Sequence, residues 1–268
     1  MIHNSAVIDK SAIIGENVEI GANVVIGENV KLGDNVKIIA NAYLEHCEIG
    51  TGTVISPFAA IGTPPQDLGY KNEPTKAVIG KNCLIKEYVT VNRASGEGNI
   101  TKVGDKCLLM VSSHVAHNCV LGDEVIMANA ATIGGHVHVG FGAFLGGLSV
   151  FHQNIRIGEM TIISGASAAR MDIIPYAKAE GIPCIPLGIN AIGLRRRNVS
   201  KEDRDELHKA VRILRSPDFN TTQAIEEIQK SVKQNDYVKK LIEFIQTSKR
   251  GVTLRNKGAY YGNIENED

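Results

Sequence analysis

Five of the chain's eight histidines crowd into one stretch: His114, His117, His136, His138 and His152. Imidazole at that density points either to proton transfer near neutral pH or to metal ligation. No Ser or Cys stands in a recognisable nucleophile setting such as Gly-x-Ser-x-Gly. The economical scheme is therefore direct attack by a substrate hydroxyl or amine, deprotonated by a histidine acting as general base. Acyl transfer by that route also needs donors for the oxyanion. Gly134-Gly135, immediately before His136, offers backbone N–H groups that a substrate can approach closely.

The elements that position these residues are written in a period of six. Ile2, Ile8, Ile14, Ile20, Ile26, Leu32, Ile38 and Leu44 recur at that step. It slips once by a residue, resumes at Ile49, Ile55 and Ile61, and again at Ile79, Ile85 and Val91. From Val103 it runs unbroken through Leu109, Val115, Leu121, Met127, Ile133, Val139, Leu145, Phe151, Ile157 and Ile163. Four residues after most anchors sits a small side chain, as at Ala6, Val18, Val36, Cys107, Ser113 and Val137. Such a period fits neither a helix nor a long alternating strand, but short strands separated by corners, stacked as a parallel β-helix of hexapeptide repeats. Gly after the anchor, as at Gly15 and Gly21, and Asn two residues later suit the left-handed backbone of tight corners. None of the five clustered histidines falls on an anchor or a small position, so all face outward or lie at corners.

Two stretches leave the period, at 62–78 and 96–102, and loops thrown from a rigid scaffold are where sites are commonly built. The β-helix is expected over 1–187, followed by a C-terminal α-helical module and loose polar tail over 188–268. Ser200 and Asp203 read as a capping box, with an apolar stripe at Leu207, Ala210, Val211 and Leu214. Further helices are expected over 221–232 and 237–247, and the module as a whole is expected to cover the open end of the solenoid.

Formal charge is zero, with 29 basic and 29 acidic residues, so no global field points to nucleic acid or a membrane surface. The start, Met1-Ile2-His3-Asn4, lacks the pattern of a secretory leader, and no long apolar run follows, which predicts a cytoplasmic protein without a membrane span. The five cysteines contain no CxxC and read as reduced structural thiols.

The run His114-Val115-Ala116-His117-Asn118-Cys119, then Gly135-His136-Val137 and Val150-Phe151-His152-Gln153, closely resembles the UDP-N-acetylglucosamine O-acyltransferases that open lipid A biosynthesis. Gln66-Asp67-Leu68 and Asn190-Ala191-Ile192-Gly193-Leu194-Arg195-Arg196-Arg197 carry the same resemblance, which spans essentially the whole chain. It implies a left-handed β-helix, a homotrimer with sites between subunits, no cofactor, and an acyl carrier protein bearing a 3-hydroxyacyl thioester as donor to a UDP-sugar. On this resemblance His117 is the base for the sugar 3-hydroxyl and Gly135 the oxyanion donor. His114, His136, His152 and Gln153 line the sugar and pantetheine end, and Asp67 binds the sugar. Asn190, Arg196 and Arg197 contact the nucleotide, and Gly165 closes the acyl groove.

Three positions depart from the family pattern: Gly69 in place of Lys, Asn118 in place of an acid beside the base, and Ile192 in place of an acid at the nucleotide. Some members acylate a 3-amino sugar nucleotide, and these departures make that acceptor an alternative. A hexapeptide acetyltransferase using acetyl-CoA shares the scaffold and a base histidine, but the late arginine run and helices favour the first family. Hexapeptide carbonic anhydrases bind zinc through histidines placed five apart, a spacing absent here, so no metal is expected. A purely structural solenoid leaves the crowded outward histidines without a role.

Overall fold

The hexads fold as their period requires. In the computed structural model, which describes residues 1–255, most anchors end a short strand. Up to the C-terminal end each strand pairs in parallel with the one three strands on, for example Val7 with Val25 and His114 with Thr132, so three hexads complete one coil. The product is a left-handed parallel β-helix with three sheets of nine, eight and ten strands. The first sheet contains His114–Val115 and Thr132–Ile133, the second Val120–Leu121 and His138–Val139, the third Ile126–Met127 and Phe144–Leu145. Anchors such as Ile55, Ile85, Leu109, Val115 and Ile133 are fully buried and stack in ladders inside the prism. Burying one such side chain stabilises by about 1.5–3 kcal/mol, so each coil contributes through its neighbours. All five cysteines are buried and free, and burial raises the thiols of Cys119 and Cys184 to about 12.

The corners divide their labour in a way the sequence reading merged. The left-handed residue is the one three after the anchor, at Asn17, Asn23, Asn29, Asn35 and Asn41, with φ between 51° and 57°. Asn tolerates that region at little cost. The glycines directly after the anchors, such as Gly15 and Gly21, lie outside it, which corrects the reason given for them above. They are needed because the next coil passes too close: a Cβ on Gly21 would overlap the carbonyl oxygen of Ile39.

Both loops leave the prism at one corner. The first joins strand Ala60–Thr63 to Lys76–Ile79, the second Thr90–Asn92 to Ile100–Val103, and each connects the first sheet to the second. Residues 116–119 make the same connection without an insertion.

At the C-terminal end, strand Ala177–Glu180 extends the third sheet, and Ile185–Ile189 folds back antiparallel on it. Four helices follow: α1 (Ala191–Arg196), α2 (Lys201–Arg215), α3 (Thr221–Ser231) and α4 (Asp236–Gln246). The short α1 escaped the sequence reading, since six residues are too few to show a period. At α2 the Ser200 side chain accepts from the Asp203 N–H, while its hydroxyl donates to the Asp203 carboxylate; the full reciprocal box is at Asn220 and Gln223 instead. Leu207, Ala210, Val211 and Leu214 are buried as expected, in a second core with Tyr176, Ile228 and Leu241. The third sheet is closed by its own hairpin, and α4 lies along the flank, where Arg156 stacks on Phe244 at 4.2 Å and bonds to the buried Asp172 at 2.9 Å. The polar tail expected after Arg255 falls outside the described residues.

Candidate active site

Residues eighteen apart share a corner, so His117, Gly135 and Gln153 stack on consecutive coils, as do Asn118, His136 and Asn154. This is the corner from which both loops emerge. His117 is half-buried, and its Nδ1 lies 2.9 Å from the Asn118 Oδ1. The Asn118 amide cannot be turned over, because its Nδ2 donates to the Ser95 carbonyl at 2.9 Å while its Oδ1 accepts the Ser95 N–H at 2.9 Å. An oxygen therefore faces His117, and Nδ1 must carry the proton. Nε2 is left with its lone pair outward, the tautomer a general base requires.

Gly135 faces that lone pair. A Cβ there would sit 2.5 Å from His117 Nε2, so only glycine leaves space for a reacting group. Among the described residues its N–H finds no acceptor. At equivalent hexad positions elsewhere the next coil seals this N–H with a carboxylate: Asp34 accepts from Glu16 at 2.8 Å, Asp105 from Lys81 at 2.7 Å. Gln153 occupies that place above Gly135, and the donor stays free.

His136 takes the left-handed corner position, φ 60°, where other coils use Asn. Its ring meets His117 edge to face at 5.2 Å. Desolvation, then the neighbouring His117, lowers its proton affinity, and the same two causes lower that of His114, whose Nδ1 is 2.7 Å from the Thr90 hydroxyl. Asp67 reaches the corner from the first loop. The Gly69 N–H at 2.9 Å holds its carboxyl below the usual range, helped by the Ser95 hydroxyl and by the charges of His117 and His136. His152 and Gln153 lie exposed one coil beyond, with Arg250 3.4 Å from the His152 ring. Ser95 and Thr90, which touch these histidines, had no signal in the sequence, because neither belongs to a motif or breaks the period.

Other residues assigned from the resemblance lie elsewhere on the same chain, one on a different corner and three on α1 and its caps. Gly165 is on the turn from the third sheet to the first, where a Cβ would meet the Gly147 carbonyl at 3.0 Å. Arg197, the C-cap of α1, lies over the corner from the second sheet to the third, stacked on Phe141 at 4.5 Å and bonded to Glu124 at 2.7 Å. Asn190 caps α1 by accepting from Gly193, and its Nδ2 donates to the Met160 carbonyl at 2.8 Å. Arg196 and Ile192 are exposed beside it. Among the described residues no three His, Cys, Asp or Glu side chains converge as a metal cage requires, and no helix is long and apolar enough to cross a membrane.

The family description "Udp N-acetylglucosamine O-acyltransferase; Domain 2" matches residues 172–253, and that of the GMPPB C-terminal domain matches residues 1–95. The solved UDP-N-acetylglucosamine acyltransferase from Bacteroides fragilis is 40% identical, covers 94% of this chain and 100% of its own, and superposes with a TM-score of 0.91. The chain belongs to the UDP-N-acetylglucosamine acyltransferase family. Within that family, the solved Campylobacter jejuni enzyme is 36% identical over 95% of this chain and 99% of its own, with a TM-score of 0.88. The Helicobacter pylori acyl-[acyl-carrier-protein]–UDP-N-acetylglucosamine O-acyltransferase is 40% identical over 83% of this chain and 82% of its own length. Family membership thus rests on the solenoid and the helical module together, since both lie within these matches.

Proposed function

We propose that the chain transfers a 3-hydroxyacyl group from the thioester of an acyl carrier protein to the 3-position of UDP-N-acetylglucosamine, with His117 as general base. The observation that carries the reading is the locked His117 tautomer, its free Nε2 beside Gly135, whose N–H meets no acceptor among the described residues. Nε2 takes the proton of the sugar 3-hydroxyl as that oxygen attacks the thioester carbon. The negative charge on the carbonyl oxygen is received by the Gly135 N–H. Collapse expels the carrier's thiolate, to which His117 returns the proton, so the base ends as it began. Asp67 accepts from the sugar, and His114 and His136 offer it hydrogen bonds beside the base.

Gly165 stands on another corner, and Asn190, Arg196 and Arg197 on α1 and its caps, and they serve this site only when a second copy brings those parts against it. This supports a homotrimer with the site between subunits, where the arginine pair suits a diphosphate. Five reduced thiols fit a cytoplasmic location. A neutral Asn118 beside the base and Gly69 in the acceptor loop also favour a second reading, N-acylation of a 3-amino sugar nucleotide, because an amine needs less help from the base.

His117→Ala is the test. Turnover of UDP-N-acetylglucosamine should fall by roughly 10²–10⁴-fold, with the fold and assembly unchanged. Near-normal turnover would remove His117 from the mechanism. Mass spectrometry of products from hydroxyl and 3-amino acceptors, with the same carrier-bound donor, decides which atom is acylated.

A further inference from the structure

The side chain of Asn118 grips the second loop by both of its polar ends. Nδ2 donates to the Ser95 carbonyl and Oδ1 accepts the Ser95 N–H, both at 2.9 Å, with the Ser95 hydroxyl also 3.2 Å from Oδ1. The Asn118 backbone is fixed in turn by the Thr101 hydroxyl, which accepts its N–H at 2.8 Å. The second loop then holds the first. Glu73 accepts the Gly96 N–H at 2.6 Å, the Gly98 N–H donates to the Pro74 carbonyl at 3.0 Å, and the buried Arg93 donates to the Tyr70 hydroxyl at 3.0 Å. Hydrogen bonds thus tie Asn118 to the second loop and the second loop to the first, which carries Asp67.

We infer that Asn118 is a positioning residue for the acceptor site, and that its amide, which a carboxylate cannot replace, holds both loops and so Asp67 in place. The inference rests on the reading of this corner as a UDP-sugar site. An Asp at 118 would keep the shape and the left-handed backbone, φ 60°, yet set a carboxylate oxygen against the Ser95 carbonyl oxygen. It would also strengthen His117 as a base, since an adjacent carboxylate stabilises the imidazolium. The two effects oppose each other and appear in different measurements.

The experiment compares the full-length protein with Asn118→Asp and Asn118→Gly, both compatible with the left-handed backbone. Amide exchange at Gly96 and Gly98 should accelerate about tenfold or more in both variants. Calorimetric affinity for UDP-N-acetylglucosamine should weaken by about tenfold in both, the consequence of one lost charge-independent clamp. Only Asn118→Asp should move the acid limb of kcat to higher pH, by about one unit. Unchanged exchange in Asn118→Asp would overturn the clamp, and faster exchange with unchanged affinity would overturn its positioning role. Failure of the wild-type protein to bind UDP-N-acetylglucosamine would strike the functional reading instead, while amide exchange still reads the clamp.

Discussion

Gly135→Ala tests the geometry of the proposed site at its tightest point. Gly135 lies outside the left-handed region, so the backbone itself accepts alanine. The new methyl group would sit 2.5 Å from His117 Nε2 and 2.6 Å from Cε1, against ordinary contact from 3.4 Å. Going from 2.5 Å to 3.4 Å requires the imidazole to withdraw by about 0.9 Å. That withdrawal strains the 2.9 Å bond between Nδ1 and Asn118, and it carries Nε2 away from the substrate hydroxyl. A misplacement of about 1 Å costs on the order of 10²-fold in rate, so kcat should fall by about that factor while the melting temperature stays within a few degrees. The assay is steady-state acyl transfer from a 3-hydroxyacyl carrier protein to UDP-N-acetylglucosamine, beside a thermal melt. A kcat within about threefold of wild type would show that the lone pair of His117 does not work across this gap, and the mechanism drawn from it would fall.

Three further outcomes are expected. Sedimentation at assay concentration should show a trimer, and an active monomer would refute the shared site. Gly165→Met should shift preference toward shorter acyl donors while keeping activity; because the Gly147 carbonyl allows only 3.0 Å to the new Cβ, a small local shift and a lower melting temperature should accompany it, whereas an unchanged chain-length preference would place the limit elsewhere. His114 and His136 bind protons more weakly in the fold than in the unfolded chain, so their contribution to stability is complete above about pH 6.5 and is lost as pH falls below it; His114→Gln should flatten the decline in melting temperature between pH 7.5 and 5.5, and an unaltered slope would deny that linkage.

The period of six determined most of what the backbone does. It set each strand, closed three hexads into a coil, and placed His117, Gly135 and Gln153 on one corner, because equal spacing in the chain becomes vertical alignment when identical coils stack. Asn17 and its equivalents were legible for the same reason: a corner recurring every hexad demands the same left-handed residue each time. The α2 helix showed through its apolar stripe, and α3 and α4 were expected within a residue of their bounds, while α1 was too short to show a period. What only the tertiary structure decided lies where the period stops. The loops have no repeat, so nothing in the sequence tells that Ser95 meets Asn118, that Glu73 holds Gly96, or that these contacts select the tautomer of His117. The role of Gly21 was likewise hidden, since the atom that excludes a side chain there belongs to Ile39 on the next coil. Local conformation follows from neighbours in the chain, but the orientation of an amide or an imidazole follows from whichever partners the folded coils and loops bring within hydrogen-bonding distance.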